Sequence, residues 1–421
     1  MPTIRPLVPL VASLFLAATS WSCSGSRAVA YTGATVWDGT GAPPITDATI
    51  VVEAGRIVSV QQDPRPPRGA EVVPLDGRWV IPGLIDTHAH VSGRWAPGGG
   101  GDELSRIRDE LRLYARYGVT TVNSLGDGDA VIRARDAASP TDPHARLLAA
   151  GAVVADSEPA AARATAIQNA DAGADWLKLR VDDNLGTSAK MPWGAVQAVM
   201  DVGRERGLRV ATHVFYLDDA KRLLDMGAGL VAHSVRDVDV DEEFVQALRE
   251  RSVCYVPTLV REVSTFVYSE RPDFFDDPFF QRYADAEEVA RLSSPELMEE
   301  TRRSPAAAGY RVALAQAQRN VKALSDAGAS IAFGTDAGPA ARFPGYFEHM
   351  ELSLLVEAGL TPAQALHSAT GAAAACLGLD DVGTLESGRW ADFLVLAADP
   401  LADVEASRTL ERVYVAGSEV R

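Results

Sequence analysis

Two rhythms divide the chain. From Ala30 to about Val80, short β-like apolar runs, "ATVWDG", "ATIVVEAGRIVSV" and "AEVVPLDGRWV", are separated by Gly, Pro and Asp turns. The same style returns near the C-terminus in "ADFLVLAADP" and "LERVYVAGSEV". Two β segments at opposite ends of a chain can pair, so residues 28–82 and 383–421 are expected to form one small β-sandwich domain. Across residues 83–382 the rhythm changes to strand followed by helix, repeated, which predicts a parallel sheet with covering helices.

Eight strand candidates fall in this middle region: "LIDTHAHV", "GVTTVNSL", "ARLLAAGAVV", "DWLKLRV", "LRVATHVF", "GLVAHSV", "SVCYVPTLV" and "SIAFGTDAG". Eight such units in this length make an α/β fold of the (β/α)8 TIM-barrel type the natural architecture. A doubly wound open sheet is the alternative, and the first strand lacks the Gly-rich dinucleotide turn that would favour it. After the seventh strand an insertion at about 260–305 carries Phe266, Tyr268, Phe274, Phe275, Phe279, Phe280 and Tyr283. Loops in that place form the rim of a barrel site, so the segment reads as a hydrophobic lid, as a subunit interface of a homo-oligomer, or as both.

The N-terminus follows neither rhythm. Arg5, an apolar run from Leu7 to Ala18 and the small or polar "TSWSCSGS" have the layout of an export signal over residues 1–22. This places the mature chain in the periplasm or outside the cell. Cys23 is a possible lipid-anchor site, although Ser20 and Trp21 match the usual acceptor box poorly. Cys254 and Cys376 lie in apolar surroundings and read as buried free thiols.

Composition changes this picture little: of 421 residues 47% are hydrophobic and 23% charged, which excludes disordered and collagen-like classes. A net charge of -17 argues against nucleic acid as a partner, because phosphate backbones call for clustered Lys and Arg.

The chemistry is concentrated at strand ends. In "VIPGLIDTHAHV", His88 and His90 stand two residues apart, so in a strand both rings point to one face. Lys178 lies in the fourth candidate strand, His213 in the fifth, His233 in the sixth and Asp336 in the eighth. Each lies late in an apolar strand, toward the face where barrel enzymes build their sites, and imidazole is among the commonest metal ligands. A lysine inside "DWLKLRV" is costly if charged and unpaired. It is either paired with Asp182 or Asp183, or converted to an anionic ligand. His144 precedes the third strand and His367 lies in a helical segment, so both read as structural. His349, in the helix after the eighth strand, reads either as a contact to substrate or ligands or as ordinary packing. Arg94 and Arg236, on loops at the same face, are candidates to grip a substrate carboxylate. The sequence has neither a GxSxG elbow nor a Walker loop.

Taken in order, "TGATVWDGTG", "VIPGLIDTHAHV", "YGVTTVNSLG", "GADWLKL", "VATHVF", "LVAHSV", "FGTDAG" and "GTLESGRWADFLVL" resemble the amidohydrolase superfamily, on its imidazolonepropionase-like and metal-dependent dipeptidase-like side. The resemblance implies a barrel with one or two divalent metals beside a β-sandwich built from both termini. It assigns His88, His90 and Asp336 to one metal and His213 and His233 to a second, with Lys178 carboxylated by CO2 to bridge them. Two Zn2+ suit such ligands, and Mn2+ or Fe2+ are also accommodated. The chemistry implied is hydrolysis of a small amide, peptide-like or N-acyl, by a metal-activated hydroxide. Asp336 carries the proton, and the second metal, or His233 in a one-metal version, polarises the carbonyl. A one-metal cyclic amidohydrolase or deaminase with unmodified Lys178 is the rival enzyme, and a non-catalytic binding protein on the same fold is the rival class. Members often read "TTVRDLG" after the second strand, where Asn123 and Ser124 stand here.

The export reading makes a direct prediction. N-terminal sequencing of the protein purified from its native host should find a first residue between about Trp21 and Cys23; an intact Met1 or Pro2 would refute it.

Overall fold

The computed structural model describes residues 27–62 and 65–421; the expected signal over 1–22 and the possible anchor at Cys23 lie outside the described residues. The terminal segments pair as their rhythm predicts. Strands β1 (Val29–Val36), β2 (Ile45–Glu53), β3 (Arg56–Gln61), β4 (Glu71–Pro74) and β5 (Trp79–Pro82) come from the N-terminal side. Three more strands, Phe393–Leu396, Leu410–Val415 and Ser418–Glu419, come from the C-terminal side. Among the described residues these make one eight-stranded sheet. The seam between chain ends is antiparallel, with Val395 opposite Val80 and Phe393 opposite Pro82. Tyr31, Phe393 and Tyr414 pack ring to ring in its core, with centroids 4.5–5.0 Å apart.

From β5 the chain passes through Gly83 into the second unit. A side chain at Gly83 would meet Thr120 Oγ1 at 2.1 Å, so only glycine lets the two strands approach this closely. Here the strands are parallel: β6 (Leu84–Ala89), β7 (Val119–Ser124) and β8 (Arg146–Ala149) pair in that order. So do β9 (Trp176–Arg180), β10 (Arg209–His213), β11 (Leu230–Ala232) and β12 (Cys254–Val256). A bridge from Val154 to Leu179 joins the two groups. Another links Tyr255 to Ile331, and Thr87 N donates to Phe333 O at 2.9 Å, returning to β6. Helices such as Glu103–Arg116, Trp193–Arg206 and Pro305–Asp326 alternate with the strands. The arrangement is an α/β fold of TIM-barrel-like kind.

The expected eighth strand is reduced to the bridge at Ile331, after which the backbone is irregular. Two residues explain this. A Cβ on Gly334 would lie 2.5 Å from Val256 and 3.0 Å from the His88 Cβ, and Asp336 takes a left-handed φ of 58°. Regular pleating is lost where the chain must crowd against β6.

Two expectations are corrected. Cys254 at the start of β12 and Cys376 in the helix Gly371–Leu377 are joined in a disulfide, with Cα atoms 5.9 Å apart, and are not free thiols. Apolar surroundings signalled burial correctly, but a separation of 122 residues hid the pairing. The aromatic run is likewise neither an open lid nor an exposed interface. Phe266, Tyr268, Phe275, Phe279 and Phe280 are buried, and Phe274 is partly so. Phe343, Tyr346 and Phe347, downstream of Ile331, supply the partner surface, with Phe280 4.9 Å from Phe343 and 5.0 Å from Tyr346. Of the seven, only Tyr283 is exposed, and by 38%.

The disulfide closes a long loop of chain, so its loss should cost about 2–4 kcal/mol. Denaturant unfolding of Cys376→Ser against the parent should show this difference, and a non-reducing peptide map should recover the Cys254–Cys376 cross-link. Two free thiols in the parent would refute it.

Candidate metal and active site

The strand ends deliver their polar residues to one place. His88, His90, Lys178, His213, His233 and Asp336 all line a cavity of about 370 Å³. His88, His233 and Asp336 are buried and offer ligand atoms that lie within 4.8 Å of one another. His90 Nε2 is 2.9 Å from Asp336 Oδ1, and His88 Nε2 is 3.6 Å from the same oxygen. The His213 ring lies 3.9 Å from that of His233, which lies 4.7 Å from His88. Lys178 Nζ sits 3.1 Å from His88 Nε2.

Each outer imidazole has one nitrogen occupied by the surrounding protein. His90 Nδ1 meets both Asp127 oxygens at 3.1 Å, His213 Nε2 meets Asp182 Oδ2 at 2.8 Å, and His233 Nδ1 meets Thr258 Oγ1 at 2.8 Å. Such contacts fix ring orientation and leave the other nitrogen to face inward, the arrangement that metal-binding histidines use. Asp127 is itself held by Val91 N at 3.0 Å and by the Ser124 hydroxyl. Ser124 and Asn123, the residues that depart from the family pattern, are buried. Asn123 ties β7 to β6 by donating to Thr87 O at 3.0 Å, and neither residue lines the cavity.

Burial dominates the electrostatics. It holds His88 and His233 well below the ordinary imidazole range and His213 down at about 3, so these rings are neutral. Burial also lowers Lys178 to about 7, with Asp336 opposing. For His90, burial is outweighed by Asp127 and Asp336, which raise it to about 10. For Asp336, burial is outweighed by Arg342, His90 and His88, which keep the carboxylate ionised. Three neutral imidazoles, an ionised carboxylate and a lysine near its neutral form are donor states a divalent cation needs, while His90 would release its proton as the cation enters. The buried residues present therefore fit a metal.

Lys178 is not paired with Asp182 or Asp183, the alternative its sequence left open. Asp182 is committed to His213, and Asp183 accepts from the Tyr216 hydroxyl at 3.0 Å. Three substrate candidates are corrected. His349 is buried elsewhere, between Ser407 Oγ at 2.9 Å and Tyr117 O at 2.7 Å, because its helix turns that face toward the terminal segments. Arg94 is half-exposed, 3.8 Å from Glu288 and outside the cavity wall. Arg236 is fully buried, donates to the Val214 and Ser234 carbonyls, and contacts Glu262 at 3.2 Å. His144 and His367 are structural as expected, bonded to the Ala145 and Gly39 carbonyls.

Sequence reasoning missed Asp127 and Thr258 and the true partner of Asp182, the three residues that hold the rings, and Arg180, Arg261 and Arg342, which line the cavity. All except Arg342 end a strand or follow one within five residues, so polarity immediately past a strand end was the available signal.

Arg236 should behave as a structural cation. Replacing it with Met leaves Glu262 and Asp182 less compensated in a buried setting, at a cost of about 3–5 kcal/mol. Chemical denaturation measures this; an unaltered stability with a raised KM would restore the substrate role.

Comparison with known proteins places this geometry. The profile of the Amidohydrolase family matches residues 79–420. The imidazolonepropionase of Deinococcus radiodurans is 26% identical over 404 residues, covering 89% of this chain and 92% of that protein. Among solved structures, a candidate prolidase from Bifidobacterium longum superposes with a TM-score of 0.74 at 26% identity, covering 94% of this chain and 95% of that one. A Xaa-Pro dipeptidase with methionine bound in its active site superposes with a TM-score of 0.71 at 21% identity, covering 93% and 99%.

Proposed function

Because the chain belongs to the amidohydrolase family and is a hydrolase of carbon–nitrogen bonds, we propose that it cleaves a small amide, peptide-like or N-acyl, at the cavity where the six strand-end residues meet. The observation that carries this reading is the buried group His88, His233 and Asp336, with ligand atoms within 4.8 Å, beside a lysine that burial holds near neutrality.

His88, His90 and Asp336 would hold one divalent metal, and His213 and His233 a second, with Lys178 as a carbamate between them. Zinc suits this nitrogen-rich set. Such a metal supplies acidification of water and polarisation of a carbonyl. The protein's own groups do the rest. Asp336 is ionised, so it can accept a proton at a carboxylate oxygen and return it to the departing amine. His233, neutral and fixed by Thr258, offers its one remaining nitrogen to the second metal, and in the one-metal alternative would direct it at the scissile carbonyl instead. Asp127 and Asp182 keep His90 and His213 oriented. On this reading the complete unit is a (β/α)8 barrel over 83–382, with a β-sandwich from 28–82 and 383–421. Export to an oxidising compartment accords with the Cys254–Cys376 disulfide.

Lys178 tests the mechanism. Carbamate formation uses the neutral amine, and with the lysine lowered to about 7 that form prevails above pH 7 and is lost below it. Uptake of isotopically labelled bicarbonate should therefore rise as pH increases through about 7. Lys178→Ala should lose bound metal and reduce kcat/KM by about a hundredfold or more while the fold persists. Retention of near-normal metal content and rate would replace the two-metal reading with the one-metal alternative, in which Lys178 is unmodified.

A further inference from the structure

The cavity is cationic in an acidic protein. The chain carries a net charge of -17, yet three guanidinium groups, those of Arg180, Arg261 and Arg342, line the cavity beside Lys178 against a single carboxylate among the described residues, Asp336. Lys178 and Arg342 are engaged: Lys178 lies against His88, while Arg342 holds Asp336 and contacts Ser264 Oγ at 3.1 Å. The other two have donors to spare. Arg180 ends β9, and its side chain makes neither a hydrogen bond nor an ion pair among the described residues. Arg261 is only 7% exposed; its Nη1 meets both Glu262 oxygens at 3.1 Å and its guanidinium lies 4.6 Å from the Tyr310 ring centre. Its Nε has no hydrogen-bond partner and lies 3.9 Å from Asp336 Oδ2.

We propose that Arg180 and Arg261 form a carboxylate subsite, so that the amide hydrolysed belongs to a molecule with a free carboxylate, as N-acyl amino acids and dipeptides have. Guanidinium donors match a carboxylate in plane and spacing. A buried donor left unpaired is unfavourable and gains a partner when such a substrate binds. Field lines in a narrow cationic cavity also concentrate an anion there despite the overall negative charge. Arg94 and Arg236, the arginines singled out from sequence, lie outside this cavity wall. The proposal rests on the hydrolytic reading for its substrate class, while anion capture can be measured without any reaction.

Calorimetry on the metal-loaded protein compares cyclohexanecarboxylate with cyclohexylmethanol. The parent should bind the carboxylate at least about tenfold more tightly, Arg180→Gln should abolish most of that preference at unchanged metal content, and Arg180→Lys should keep part of it. Arg261→Lys retains the charge beside Glu262 but loses the planar fork, and should also weaken the carboxylate. A preference undiminished in both Arg180→Gln and Arg261→Lys would overturn the subsite, since the carboxylate would then be held by the metal or by other groups. A second comparison measures acetate release from N-acetyl-L-leucine and N-acetyl-L-leucinamide. If the parent binds the carboxylate through Arg180 but cleaves no amide, the subsite stands and the hydrolytic reading fails. Equal rates on acid and carboxamide would mean the reverse.

Discussion

The carbonyl of His88 accepts two backbone N–H groups from the segment after Ile331, Thr335 at 3.1 Å and Asp336 at 2.7 Å. The site depends on this contact. It draws the irregular eighth segment against β6 so closely that position 334 has no room for a Cβ. It also holds Asp336 at a φ of 58°, a conformation that costs a non-glycine residue roughly 1 kcal/mol or more. In return the Asp336 carboxylate is delivered between His88 and His90. His233 shows the same left-handed strain, with φ at 70°, as does Thr258, which holds it, at 48°. Three strained residues around one cavity are compensated by the packed strands beneath them, which supply the rigidity that metal ligands need.

A surrounding layer of carboxylates has its own hierarchy. Glu351, buried in the helix after the eighth segment, accepts from Leu259 N at 2.9 Å and Val260 N at 2.6 Å. It thereby anchors the short helix Leu259–Val263 that follows Thr258 and carries Arg261. Asp86 accepts from His88 N at 2.8 Å and from the Thr335 hydroxyl at 2.5 Å, tying β6 to the eighth segment a second time. Burial raises Asp86 to about 6 and Glu351 to about 8. These acids serve the backbone that carries the site, while among the described residues Asp336 is the one acid that reaches the cavity wall.

What could be read from sequence follows from which physical signals are local. Short apolar runs bounded by Gly, Pro and Asp turns marked the terminal strands, and apolar runs ending in His, Lys or Asp marked the parallel ones, because burial of a strand is written in its own residues. His88, His90, Lys178, His213, His233 and Asp336 were legible for that reason, and all six meet in one cavity. Partnership between distant residues was not legible. Nothing near Cys254 indicates Cys376, and nothing near Phe280 indicates Phe343 and Tyr346, which bury it. The arginines failed for a related reason. Arg94, Arg236, Arg180 and Arg261 all stand near strand ends, and only the packing of Glu262 and the Val214 and Ser234 carbonyls around Arg236 shows that its charge is spent internally.

That distinction governs how charge is used across the molecule. An acidic surface keeps the chain soluble and repels anions at long range, yet screening confines this effect to about 8–10 Å at ordinary ionic strength. Inside the cavity the local inventory decides. The neutral imidazoles of His88, His213 and His233 contribute no charge, Asp336 is already balanced by Arg342 and the protonated His90, and Arg180 and Arg261 keep guanidinium donors unpaired among the described residues. A cation entering among the imidazoles would add to that positive field. The wall on the Arg180 side is therefore the place where an anionic group of a substrate gains most, and an amide nitrogen or carbonyl linked to that group is brought toward Asp336 and His233 by the same binding event.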